Sequence, residues 1–184
     1  MYGMIHRAVR QMVTETAGAE TWREIERDAA VGPREMISAL VYDDAVTFAI
    51  VTASAARLGI TVDDALRRFG RYWIQFNVNG PYSNIIRFIG RDIETVIANL
   101  DRMHSALLAT MPDASMPSFS IVESAPGLLR VRYNSERTGL DIFVAGLMEG
   151  LLDHFGHTGE VTRYPDGNHD GTDFLLRFGD RPAA

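Results

Sequence analysis

The chain contains no cysteine, which excludes disulfides, thiolate metal sites and thioether attachment of a prosthetic group. It also lacks any cluster of basic residues. With 18 Lys and Arg against 24 Asp and Glu, and a formal net charge of -6, a surface that tracks nucleic-acid phosphates is not expected. Long apolar runs are missing too: the longest, roughly Val46 to Ala56, contains Thr and Ser and is too short to span a bilayer. The opening MYGMIHRAVRQMV carries charges among its apolar positions, unlike a signal peptide. No internal repeat, low-complexity tract or linker interrupts the chain. What is present is the composition of an ordinary globular protein, 46% hydrophobic and 23% charged over 184 residues. That length suits one domain or at most two small ones with a real core. The default expectation is a cytoplasmic protein with no nucleic-acid or membrane partner.

The first two-thirds reads as helix. Ile5, Val9, Met12 and Val13 fall at helical spacing, and Gly18 closes that segment. TWREIERDAA follows, with Thr21 placed as an N-cap and Glu24 three residues on. A third helix starts at Asp43 or Asp44 and runs to Leu58 before Gly59, and a fourth starts at Thr61. A short helix around Tyr82 to Ile89 precedes a long one from Asp92 to about Ala109. After MPSFS the period changes to two: segments 118–124 and 127–134 form a hairpin, a helix runs from about Leu140 to Phe155, and VTRY and DFLLRF form a second hairpin. This is an α+β arrangement, a helical part over about 1–112 followed by a four-stranded antiparallel sheet with an inserted helix over about 113–180.

Candidate chemistry concentrates in YNSERTGL. Tyr133, Ser135 and Arg137 stand at i, i+2 and i+4 after the alternating GLLRVRY, and on a continued strand they would share one face. Two hydroxyls and a guanidinium suit one or two anions, because arginine grips a carboxylate bidentately while hydroxyls serve the remaining oxygens. The competing reading is a polar strand end facing water. His104 lies on the long helix beside an apolar stripe of Leu100, Met103, Leu107 and Leu108. Taken alone such a histidine is more often a hydrogen-bonded boundary residue, yet neutral imidazole is also the commonest metal ligand.

Other motifs carry less. Asp166, Asn168, Asp170 and Gly171 imitate a calcium loop, but Arg177 stands where a bidentate Glu is required, so a solvated hairpin turn is expected. His154 and His157, one turn apart near a helix end, suit cations facing the helix dipole better than a metal. GLMEG, Gly146 to Gly150, reads as a helix-packing surface.

Taken together, these residues resemble the haem nitric oxide/oxygen binding (H-NOX) family, which includes bacterial gas sensors and the haem domain of the soluble guanylate cyclase β subunit. MYGMIHRAV, ETWREIERDA, LVYDD, FGRYW, NLDRMH, MPSF and YNSERTGLDIFVAGL fall in that family's order and spacing across nearly the whole chain. The resemblance implies a single haem-binding domain with the H-NOX fold over residues 1–184, holding non-covalent haem b. It implies His104 as the iron ligand, Tyr133, Ser135 and Arg137 as the propionate clamp, and Pro117 as the proline that presses on the porphyrin. Asp43 either pairs with Arg137 or caps its helix. The distal positions would be Ile5, Val9, Trp73, Phe143 and, one register away, Ile142. Oxygen-binding members carry a tyrosine at the position matching Phe143, and neither Phe143 nor Ile142 can donate a hydrogen bond. Trp73 has an indole donor, although helix packing is its ordinary use. The expectation is therefore a non-catalytic ferrous sensor of nitric oxide and carbon monoxide without stable oxygen binding. Its output would lie in trans, in a histidine kinase or a cyclic-di-GMP enzyme. The alternative is an oxygen-binding or redox haem protein.

Overall fold

The computed structural model describes residues 1–80, 89–164 and 171–180. The chain divides into two compact units, Met1–Phe69 and Gly70–Ala184. The helix expected around Tyr82 to Ile89 and the calcium-like loop at 166–170 fall almost wholly outside the described residues.

In the first unit, α1 (Gly3–Asp28) is broken at Gly18, whose φ of 88° and ψ of 163° suit glycine and little else. Thr21 does not cap a new helix. The turn before it already offers a carbonyl, and the Thr21 hydroxyl donates to Ala17 at 2.8 Å, the back-bond open to threonine inside a helix. After a 3-10 turn (Pro33–Met36), α2 (Asp44–Leu58) begins where the Asp43 carboxylate accepts from the Ala45 N–H at 2.8 Å. Asp43 is thus a cap, and Gly59 at φ 64° ends the helix. Thr61 starts α3 (Val62–Asn79) reciprocally: its hydroxyl accepts from the Asp64 N–H at 3.0 Å and donates to the Asp64 carboxylate at 2.8 Å.

The core of this unit includes Val9, Val13, Trp22 and Ile25 of α1 and Ile50 of α2. One polar side chain shares that burial without any sign in the hydrophobic pattern. His6 is 0% exposed, with Nδ1 2.7 Å from the Glu35 carbonyl and Nε2 2.8 Å from the Thr47 hydroxyl. A carbonyl only accepts, so Nδ1 carries the hydrogen and Nε2 accepts from Thr47. The ring thereby ties α1 to the 3-10 turn and to α2.

The second unit contains α4 (Ile93–Leu108), β1 (Ser118–Ala125), β2 (Leu128–Asn134), α5 (Asp141–His154), β3 (His157–Tyr164) and β4 (Thr172–Asp180). Asp92 caps α4 by accepting from the Thr95 N–H at 2.7 Å, an arrangement worth about 1 kcal/mol. The sheet is antiparallel in the order β1-β2-β4-β3. Alternation in β1 breaks at a bulge between Ile121 and Glu123, which leaves Val122 43% exposed. One sheet face, carrying Phe119, Leu129, Val131, Tyr133, Val161, Phe174 and Leu176, forms a single core with α4 and α5. α4 therefore shares the sheet's core although it belongs to the helical stretch of the sequence.

GLMEG is a packing surface. A β-carbon at Gly70 would collide with the Phe143 carbonyl and stand 2.8 Å from the Leu147 nitrogen, and one at Gly150 would meet the Arg71 carbonyl at 2.8 Å. Added bulk at such close approaches costs roughly 1–3 kcal/mol. α5 ends at His154, so His157 is not on the helix with it but opens β3, because Gly156 at φ 75° turns the chain between them.

Burial, assisted by the N-terminal ammonium, pulls the His6 pKa below its usual 6.5. The unfolded chain accepts a proton that the folded state resists. The stabilisation from neutral His6 is therefore complete above about pH 6.5 and lost as pH falls toward the lowered folded value. Denaturant midpoints should stay level and then decline below that pH, by up to about 1.4 kcal/mol per pH unit. His6→Gln should remove part of this slope while lowering stability throughout.

Candidate functional site

α4 packs unevenly along its length. Ile93, Val96 and Ile97 are buried, whereas Leu100, Met103 and Leu107 are half-buried and Leu108 is 38% exposed. Residues three and four apart share a helix face, so His104 sits within apolar surface that the chain itself covers incompletely. Its Nδ1 lies 2.9 Å from the carbonyl oxygen of Pro117. That carbonyl can only accept, so the hydrogen is on Nδ1 and the lone pair on Nε2. Burial lowers the His104 pKa, outweighing the Pro117 carbonyl and the Asp101 carboxylate, which both act upward. A neutral imidazole, oriented through one nitrogen and open at the other, is the form that ligates a metal. Asp101, one turn earlier on α4, accepts from the Phe119 N–H at 2.8 Å and so ties the helix to the start of β1.

The triplet does not lie along one strand. β2 ends at Asn134, because β1 begins opposite it at Ser118 and β4 begins opposite Tyr133 at Thr172. Ser135 and Arg137 follow in irregular chain. Hydrogen bonds link the three instead of strand geometry. Tyr133 bonds with the Ser135 side chain, Ser135 Oγ accepts from the Arg137 N–H at 3.0 Å, and Arg137 Nη1 donates to the Ser115 carbonyl at 2.5 Å. Tyr133 is 4% exposed, with its ring 5.4 Å from Phe119 and 6.4 Å from Phe174. Burial raises its pKa, which keeps the phenol a donor.

Three further residues brace this end of the sheet and escaped the sequence reading. Asp141, at the start of α5, accepts from the Thr172 hydroxyl at 3.0 Å and pairs with Arg163 at 3.2 Å. Asp173, 1% exposed, receives Arg130 Nε at 2.8 Å and Arg132 Nε at 2.9 Å. Those two guanidinium groups, Arg132 first, hold its carboxyl below the usual range. Ser115 contributes a backbone atom, which no residue pattern could flag.

The remaining residues named by the resemblance divide between the units. Ile5 and Val9 lie on α1, half-buried and 2% exposed respectively. Trp73 on α3 stacks on Phe76 with ring centroids 5.7 Å apart, while Ile142 and Phe143 are half-buried on α5. The glycine contacts set these two helices backbone to backbone at Gly70 and Phe143.

Among the described residues no three His, Cys, Asp or Glu side chains converge on one point. A porphyrin would bring its own ligands to a metal at His104. The donors present fit such a group: one open imidazole nitrogen, adjoining apolar surface, and a hydroxyl–guanidinium set suited to carboxylates.

The haem-NO-binding family profile matches residues 2–163. Among curated relatives, the soluble guanylate cyclase gcy-35 of Caenorhabditis elegans is 27% identical over 180 residues, 96% of this chain and 26% of its own length. The soluble guanylate cyclase 89Db of Drosophila melanogaster is 26% identical over 155 residues, 84% of this chain and 23% of its own length. The chain thus spans about a quarter of such relatives. Among solved structures, the H-NOX protein of S. oneidensis in its Fe(II)NO state superposes with a TM-score of 0.83 at 21% identity, covering 98% of this chain and all of that one. An H-NOX protein of K. algicida in the unliganded Fe(II) state gives 0.79 at 18% identity, covering 100% of both chains. At these identities the superpositions show the fold.

His104→Gly should take up little haem when haem is added to the purified apoprotein, and imidazole in the buffer should restore uptake. The Soret band measures both. Wild-type loading with an unchanged ferrous spectrum would remove His104 as the ligand.

Proposed function

The chain belongs to the haem-NO-binding family, and from that membership we propose that it is a cytoplasmic ferrous-haem sensor of nitric oxide and carbon monoxide that forms no stable dioxygen complex. As a member of that family the chain is a haem-binding gas-sensor domain. The observation that supports haem ligation is the His104 ring, its Nδ1–H given to Pro117 at 2.9 Å and its Nε2 left as a lone pair. We take residues 1–184 as one such domain, with haem b held non-covalently.

When bound, haem supplies a ferrous iron that takes a diatomic gas as ligand. The residues of the chain do the rest. His104 would hold the metal, Tyr133, Ser135 and Arg137 would hold the carboxylates, and Pro117 would bear on the ring while its carbonyl orients His104. Through its Nδ1 bond to Pro117, His104 would couple any change at the metal to α4 and the segment carrying Pro117, which would then form a two-state element that a ligand can bias. No catalytic residue is assigned.

Selectivity rests on what Phe143 and Ile142 lack. Dioxygen draws negative charge on binding and needs a nearby donor, whereas carbon monoxide does not, and hydrocarbon side chains leave that charge uncompensated. The signal passes to a separate protein, a histidine kinase or a cyclic-di-GMP enzyme. The likeness to soluble guanylate cyclases favours a second reading of the output, a nucleotide cyclase.

Visible spectra of the reduced protein, alone and with nitric oxide, carbon monoxide and air, test the reading. Nitric oxide and carbon monoxide should each shift the Soret band, and air should yield oxidation without a persistent oxy species. A stable oxy spectrum with resolved visible bands would overturn the selectivity and point to Trp73 as a distal donor. Phe143→Tyr adds a hydroxyl at the matching position and should lengthen the life of any oxygen adduct.

A further inference from the structure

Pro117 is the acceptor that fixes His104, and the short strap around it is held at both ends. Downstream, the Phe119 N–H is held by Asp101 at 2.8 Å. Upstream, the Ser115 carbonyl is held by Arg137 Nη1 at 2.5 Å, and the Ser115 hydroxyl reaches Glu136 at 3.3 Å. Between them the chain is stiff for a reason written in its sequence. Pro117 has a locked φ, and Met116, as the residue before a proline, is confined to extended conformations. A displacement at Ser115 therefore cannot be absorbed in the single residue that separates it from Pro117. It moves the carbonyl on which His104 depends.

We propose that Arg137 is a positioning residue for His104 as well as part of the carboxylate clamp. By gripping Ser115 it holds the strap in place, so that the Pro117 carbonyl keeps the imidazole proton on Nδ1 and the lone pair on Nε2. The proposal rests on the reading of His104 as the ligand. A guanidinium has five N–H donors in a planar fork, so one directed at a carbonyl is compatible with others directed at a carboxylate. One side chain thus joins the grip on the cofactor's edge to the orientation of its metal ligand. A change in either contact is felt at the other, and the occupied clamp pre-sets the ligand for the iron.

The test uses the haem-free protein first, so that it does not depend on loading. Long-range 15N–1H spectra report the tautomer of His104, assigned by its disappearance in His104→Gly. Wild type and Ser115→Ala, which keeps the carbonyl, should show one tautomer with the proton on Nδ1. Arg137→Met keeps the apolar stem but no donor. It should show both tautomers, with the Nε2–H form rising from undetectable to a fraction on the order of one tenth or more, an equilibrium change of about tenfold. If that variant does not fold, Arg137→Gln, which retains one amide donor, should lie between it and wild type. In the haem-loaded protein the iron–histidine stretching band should shift in Arg137→Met while remaining at its wild-type position in Ser115→Ala. A pure Nδ1–H tautomer in Arg137→Met, an equal change in Ser115→Ala, or a wild type protonated on Nε2 would each overturn the proposal. Failure of the haem reading itself would look different: no Soret band in wild type, with the tautomer result unaffected.

Discussion

One hydrogen bond organises this end of the molecule: His104 Nδ1–H to the carbonyl of Pro117, 2.9 Å long. A carbonyl has no hydrogen to give, so the contact decides the tautomer and not merely the ring angle. Several other features of the site support that bond. Burial favours the neutral ring. Asp101 and Arg137 hold the chain two residues to either side of Pro117, at Phe119 and Ser115. The loop that carries Arg137 is folded on itself by Ser135, and Ser135 is bonded to a tyrosine set deep in the sheet core.

The packing explains how such a site can be both rigid and open. α4 is anchored by its first two turns, where Ile93, Val96 and Ile97 join the sheet's core. Its later turns carry half-buried apolar side chains around the histidine. An anchored first half gives the helix a fixed axis, while the second half leaves apolar surface for a flat hydrophobic group to cover. A porphyrin placed there would be desolvated favourably, for the same reason that burying a core side chain is favourable. Opposite demands act on α5, where glycines allow its backbone to meet that of α3 directly.

The periodic and punctuating signals in the sequence were enough for most of the described elements. Asp43, Thr61 and Asp92 cap helices, Gly18 and Gly59 interrupt or end them, and the change of period after MPSFS marks the sheet. Each is a local effect, a side chain within three residues of the backbone group it serves, so a linear reading can see it. Thr21 misled because the same hydroxyl that caps a helix can instead bond back to the preceding turn, and only the backbone of Ala17 decides between them. The triplet misled in a related way. Its spacing was that of a strand, but the strand ends where its neighbours end, and strand length is set by the partners.

By itself the sequence determined the helix that carries His104 and the family to which the chain belongs, because these reside in spacing along the chain. The tertiary structure alone decided which nitrogen of His104 holds the hydrogen, how Ser115 enters the site through a backbone carbonyl, and why His6 and Asp173 are buried. Each of those depends on a partner in another element, from 13 residues away for His104 and Pro117 to 43 for Arg130 and Asp173. Buried polar groups must find such partners to offset their desolvation, and the partner is chosen by the fold.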